Sequence, residues 1–338
     1  MVESLPSSPA PSLAAAELPE VDDTFLGWIR PFLEGALAVN RSFRGLGGQD
    51  EAMLYLGVWQ FLLSDIAGRR DLLREIGALP MRDGLSRLCP REFPASQIAG
   101  LIEETGVPRE TVRRKLGRLV RDGALLVRED GTIQVAAPRE DILAIAAPAF
   151  ALARWMLTLR GWPPDALGEP RSLHSFVTLG RTYLAAYLSL LKSRRHLTGT
   201  ITHVPLQLGV SLLNAENVEG LLALEGPPAR RDFQTFVALS VRAFDMPCYL
   251  RKLADVSGLP LAEVRASCRR LSAANGLVTL IGNEALKIGG PAYSRDAVGD
   301  RRFYPEETRR ALQSFMRRVL ERARWLADRT ITDGSPTA

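Results

Sequence analysis

Residues 98–135, IAGLIEETGVPRETVRRKLGRLVRDGALLVREDGTIQV, constrain the fold more than any other stretch. Ile98, Leu101 and Ile102 fall on one face of a predicted helix. Thr105-Gly106-Val107 follows, and Gly106 can take the positive φ that ends a helix abruptly. Pro108 then stands at the start of a new helix, where no amide donor is needed. Val112, Leu116 and Leu119, at i, i+4 and i+7, form one buried stripe along that second helix, and Gly123 closes it. Residues 125–128 and 132–135 are short β-prone runs joined by Glu129-Asp130-Gly131, and Asp-Gly is a strong hairpin-turn signal.

Helix, sharp turn, helix and hairpin make a winged helix-turn-helix. With its apolar stripe inward, the second helix must present Arg109, Glu110, Arg113 and Arg114 outward. Residues 108–122 hold six basic side chains against two acidic ones, whereas the whole chain of 338 residues carries only +5. A cationic helix of this width fits a DNA major groove. Arg109 and Arg114 can pair bidentately with guanine and Glu110 can accept from cytosine. Thr111, Arg113, Lys115, Arg118 and, on the wing, Arg128 suit the phosphates. The bland alternative is a solvated charged face on a winged helix that contacts protein.

The segment LIEETGVPRETVRRKLGRLVRDGALL resembles the winged helix-turn-helix of bacterial transcription regulators, and PRETVRR is most similar to the recognition helix of the cyclic-AMP receptor protein family. In that family an Arg-Glu pair, and an Arg four residues after the Glu, read the bases. The resemblance implies these roles for Arg109, Glu110 and Arg114. Pro108 replaces the usual Ser, which removes one hydroxyl contact to phosphate. The likeness covers about forty residues, and nothing upstream resembles that family's cyclic-nucleotide barrel, so its ligand is not implied.

The pattern then repeats. Gly258-Leu259-Pro260 matches Gly106-Val107-Pro108 at an offset of 152 residues. The same offset pairs Leu101 with Leu253, Val112 with Val264, Leu119 with Leu271, and Leu56-Gly57-Val58 with Leu208-Gly209-Val210. With one residue less, Phe25, Arg30, Leu33 and Leu37 pair with Phe176, Arg181, Leu184 and Leu188. Ala153-Arg154-Trp155 recurs as Ala323-Arg324-Trp325, after an insertion at 289–303. A constant offset over so long a span predicts a duplicated module. The expected fold is mainly α: two tandem winged helix-turn-helix domains with flanking helices, related by a pseudo-two-fold axis. Residues 24–160 would form the first module, 161–171 (GWPPDALGEPR) a linker, and 172–330 the second, with disordered tails at 1–23 and 331–338. Predicted helices at 25–42 and 50–66 lead the first module, and short helices over 72–88 follow. Helices at 140–160 and 305–329 close the two modules and are candidates for the central packing.

The copies are chemically unequal. Leu261, Ala262 and Ala266 stand where Arg109, Glu110 and Arg114 stand in the first. Arg265, Arg269 and Arg270 remain and suit phosphate, while the base-reading set is gone, so the second copy is expected to read other bases, to hold DNA backbone or to serve as a packing partner.

A pI of about 9.4 permits an anionic partner without demanding one. Cys89, Cys248 and Cys268 are few and far apart, which fits a reducing cytoplasm, with the protein associated with the nucleoid. Residues 142–159 are apolar, but Pro148 and Arg154 interrupt them, so a core helix is expected rather than a membrane span. The cluster 192–196 (KSRRH) reads as cations at a helix end. His174, His196 and His203 lack metal-ligand spacing, and no phosphate loop, nucleophile elbow or paired-carboxylate motif occurs. No enzyme, cofactor or metal is therefore expected. The sequence points to a transcription regulator that binds double-stranded DNA, acting as a monomeric pseudo-dimer or a homodimer, with no ligand chemistry that names an effector. A plasmid-type replication initiator, or an architectural or protein-contact winged-helix protein, is the alternative.

Overall fold

A computed structural model of the chain describes residues 25–88, 92–93, 98–129, 133–136, 142, 144–163, 165–167, 172–198, 204–226, 233–275, 278–288 and 306–333. The fold is mainly helical, with two small antiparallel sheets. The first half contains α1 (Phe25–Ser42), a 3-10 turn (Arg44–Leu46), α2 (Gln49–Gly68), α3 (Arg70–Ile76), α4 (Met81–Leu88) and β1 (Glu92–Phe93). It continues with α5 (Ile98–Thr105), α6 (Arg109–Arg121), β2 (Leu125–Val127), β3 (Ile133–Val135) and α7 (Ala146–Thr158). The second half contains α8 (Leu173–Thr198), α9 (Val204–Glu225), α10 (Phe233–Ala243), β4 (Cys248–Tyr249) and α11 (Leu250–Ser257). After these come α12 (Leu261–Asn275), β5 (Val278–Ile281), β6 (Ala285–Ile288) and α13 (Glu306–Asp333).

The sheets are ordered β1-β3-β2 and β4-β6-β5. In each, the strand after the second helix of the turn motif pairs with the next strand in line, Leu125 opposite Val135 and Val278 opposite Ile288. The turns also agree in detail. Gly106 has φ +65° and Gly258 +64°. Thr105 Oγ1 donates to the Leu101 carbonyl at 2.7 Å and accepts from the Val107 amide at 3.3 Å. Ser257 Oγ donates to the Ala254 carbonyl and accepts from the Leu259 amide at 3.4 Å. In both halves the glycine of a Leu-Gly-Val run lets the first turn-motif helix approach the second leading helix. A Cβ on Gly57 would run into the Leu101 side chain, and one on Gly209 would lie 2.7 Å from Leu253 Cδ1.

The leading helices cross between halves. α1 packs on α7 and on α9, while α8 packs on α13 and on α2. α7 and α13 also touch each other. Phe32 of α1, Tyr183 of α8 and Phe315 of α13, all buried, meet with ring centroids 5.4–6.3 Å apart. One continuous core therefore runs from α1 to α13, and a smaller one fills the region of α11, α12, β5 and β6. Trp28 and Trp59 are fully buried, and Trp155, Trp162 and Trp325 pack against the main core.

Two boundaries differ from the sequence expectation. The supposed linker is partly core: Ala166 and Leu167, between the end of α7 at Thr158 and the start of α8 at Leu173, are buried apolar side chains. α13 continues through Asp333, past the tail expected from Ile331, since no glycine or proline interrupts it before Gly334. The tails at 1–23 and 334–338, the Asp130-Gly131 turn, the start of the closing helix at Glu140 and the 289–303 loop lie outside the described residues. Among the described residues no helix is long and apolar enough to cross a membrane.

Candidate nucleic-acid interface

The geometry of α6 follows from three local causes. Gly106 reverses the chain, Pro108 (φ −58°) sets the first helical turn, and the Val112 amide donates to the Pro108 carbonyl at 2.9 Å. Val112, Leu116 and Leu119 are buried against α2, each contributing on the order of 2 kcal/mol of apolar burial. This seats α6 with its other face outward. Arg109, Glu110, Arg113 and Arg114 are all exposed there, as is Arg121 at the far end, and Thr111 is half-buried. Arg113 Nη1 lies 3.1 Å from Glu110 Oε1. That pair is highly exposed and contributes little to stability, so an incoming partner can break it cheaply.

Lys115 and Arg118 are placed differently. They flank the buried stripe, Lys115 about one turn from Val112 and from Leu119 and Arg118 next to Leu119, and both reach Glu51 of α2. There Glu51 is completely buried, with Lys115 Nζ at 2.6 Å from its Oε1 and Arg118 Nη1 at 3.4 Å. A carboxylate removed from water needs such partners. Arg118 also reaches Asp122 at 3.8 Å and lies over Gly47 (φ +89°), where a Cβ would crowd the guanidinium at 3.1 Å. These two cations anchor the helix and are not simply available to phosphate. Arg128 is exposed just after β2, beside the exposed apolar Leu126 and Val127.

In the second half, Val264, Cys268 and Leu271 form the buried stripe of α12, and Arg265, Arg269 and Arg270 are exposed. Arg270 Nη2 bonds Ser267 Oγ at 3.1 Å. An open cleft of about 430 Å³ lies in front of α11 and α12, where Tyr249, Arg251 and Arg265 face Asp255 and Glu284. Its charge is mixed, unlike the outward face of α6. Burial pushes the thiols of Cys248 and Cys268 up to about 11 and about 12, with the Asn217 amide offsetting a little of this at Cys248.

Sequence reasoning missed two features. Glu51 had one visible signal, an acid at the head of the apolar run AMLYLGVW. The cross-half clamps had none. Arg44 donates to the carbonyls of Ser257, at 2.5 Å, and Gly258, capping the turn of the opposite half, and desolvation there lowers its pKa. Lys192 Nζ donates to the Glu103 carbonyl at 2.6 Å and lies beside Gly106, as Arg41 lies beside Gly258. Its role is thus to hold the other half's turn, while the side chains of 194–196 fall outside the described residues. His174 stacks on Trp325 with centroids 5.1 Å apart, and no cluster of metal-ligating side chains occurs among the described residues.

Comparisons with protein-family models, with curated proteins and with solved structures find no match to this chain.

Proposed function

We propose that the chain is a sequence-specific regulator that binds double-stranded DNA through two unequal winged helices in one polypeptide. The observation that carries this reading is the outward face of α6, where Arg109, Glu110, Arg113 and Arg114 are exposed on a helix locked by its buried opposite side. Arg109, Glu110 and Arg114 would read bases in the major groove, with Arg113, Arg121 and Arg128 on phosphate. Arg265, Arg269 and Arg270 on α12 would touch backbone without reading it. The matching turns, sheet orders and glycine contacts support a duplicated module, and the exchanged leading helices support a pseudo-dimer held in one chain. That arrangement would present two heads as a dimeric regulator does.

Selection of bound duplexes from a random library, at near-physiological salt, tests the reading. One enriched motif with unequal half-sites about one helical turn apart is expected. No enrichment, with binding that vanishes as salt rises, overturns sequence-specific regulation. Sites that map to repeated origin sequences would favour a replication initiator instead. The exposed Leu126 and Val127 on the first hairpin favour a second reading, a protein-contact winged helix, which capture of a partner in nuclease-treated extract without any DNA binding would select.

A further inference from the structure

Arg30 and Arg181 occupy equivalent places on α1 and α8, offset by 151 residues, yet their surroundings are opposite. Arg30 lies between two carboxylates, Glu34 at 2.9 Å and Glu219 at 2.6 Å, which hold its charge in place. At the positions equivalent to those acids the chain has Ala185 and Ala67. Arg181 is half-buried where α8 packs on α13, and it has no hydrogen bond or ion pair among the described residues. Its charged neighbours among the described residues are Arg318 and Arg322, one turn apart on α13, both exposed and likewise without an ion pair there. Burial and these two charges all act against the charged form of Arg181. In the first half, Pro148 and Leu152 of α7 stand at the places of Arg318 and Arg322. The second half therefore has neither acid, and two further cations, around the corresponding arginine.

We propose that Arg181, Arg318 and Arg322 form an anion site that takes a phosphate-type oxyanion. Three guanidinium groups offer many fixed N–H donors and no acceptor, and phosphate oxygens match that donor geometry in bidentate fashion. A bound phosphate would replace the carboxylates that Arg30 has and Arg181 lacks. His174, two turns before Arg181 on the same face of α8, stacks on Trp325, two turns beyond Arg318 on α13, and Tyr183 meets Phe315 in the buried seam, so the antiparallel register of the two helices sets Arg181 beside Arg318 and Arg322. The phosphate can come from a free phosphorylated small molecule or from a DNA backbone, and the chemistry at the site is shared. The site stands whether or not α6 reads DNA.

The test is thermal denaturation of the full chain in inorganic phosphate or pyrophosphate, against chloride at matched ionic strength. The expected result is a rise in midpoint specific to phosphate and pyrophosphate, lost in Arg318→Gln/Arg322→Gln, with phosphate affinity falling about tenfold or more for each guanidinium removed. Ala185→Glu supplies the missing carboxylate one turn from Arg181. It should raise the midpoint without added anion and abolish the phosphate increment. Equal stabilisation by chloride and phosphate overturns the site, as does a phosphate increment that persists in Ala185→Glu, and this second arm holds even if the double variant fails to fold. A salt titration of mixed-sequence duplex binding separates the sources. A log–log slope shallower by about 1–2 in the double variant assigns the phosphates to DNA, and an unchanged slope assigns them to a free anion.

Discussion

Glu51 offers the sharpest test of how α6 is held. Its side chain is 0% exposed, whereas Lys115 and Arg118 keep 21% and 47% of theirs. Glu51→Gln removes the buried charge, and both cations can then swing into water. The loss should be about 1–2 kcal/mol, below the 3–5 kcal/mol seen when a fully enclosed pair is broken. Lys115→Met does the reverse: the carboxylate stays buried, and only Arg118, at 3.4 Å, remains to offset it. That variant should lose more, about 2–3 kcal/mol. The double variant leaves neither charge stranded, so its loss should fall short of the sum of the singles by about 1 kcal/mol or more. Urea denaturation of all four proteins measures the cycle, and the coupling should survive added salt, because a buried pair is screened little. Losses that add to within about 0.5 kcal/mol would refute the coupling of Glu51 to Lys115. In the DNA-binding reading, Glu51→Gln should also steepen the salt dependence of binding, since Lys115 and Arg118 become available to phosphates.

Other expectations follow from the same geometry. Arg109→Ala and Arg114→Ala should each remove about 1–3 kcal/mol of discrimination between the selected motif and a scrambled duplex; equal losses on both duplexes would assign these residues to phosphate. Gly106→Ala and Gly258→Ala should each destabilise by about 1 kcal/mol through the positive φ. Gly258→Ala should lose more by urea denaturation, because its Cβ would lie 3.0 Å from Arg41 Cδ, against 3.5 Å from Lys192 Cγ at Gly106. In a Cys89→Ser background, Cys248 and Cys268 should react slowly with a thiol reagent at pH 8 until urea exposes them. Their folded pKa values lie above the ordinary thiol value of 9.0 that applies to the unfolded chain, so the folded state holds its protons longer. Their contribution to stability is full below pH 9 and declines from there through about 11 and 12, which a pH series of denaturation midpoints would register.

Much of the local structure was legible in the sequence. The helix predicted over 25–42 is α1, residue for residue, because its apolar spacing and the glycines after it are local signals. The reversals at Gly106 and Gly258 were readable for the same reason, and so was the outward face of α6, which is fixed once Val112, Leu116 and Leu119 turn inward. The sequence was silent where a position's environment comes from far along the chain. Lys115 looked like one more basic residue on a cationic helix, and only the placement of Glu51, 64 residues earlier, turns it inward.

Sequence periodicity says which face of a helix must be covered, and it does not say by what. The two halves carry equivalent apolar stripes, so α1 could have lain on α2 of its own half or on α9 of the other. Packing decides between them: Gly35 admits Tyr183 of α8 and Arg30 finds Glu219 of α9 across the boundary, while Pro148 and Trp155 of α7 close on Gly35 and Gly27 from within the same half. These are contacts of shape and charge between distant segments. They determine that the halves are interlocked, that Arg44 and Lys192 clamp each other's turns, and that Arg181 is left among arginines.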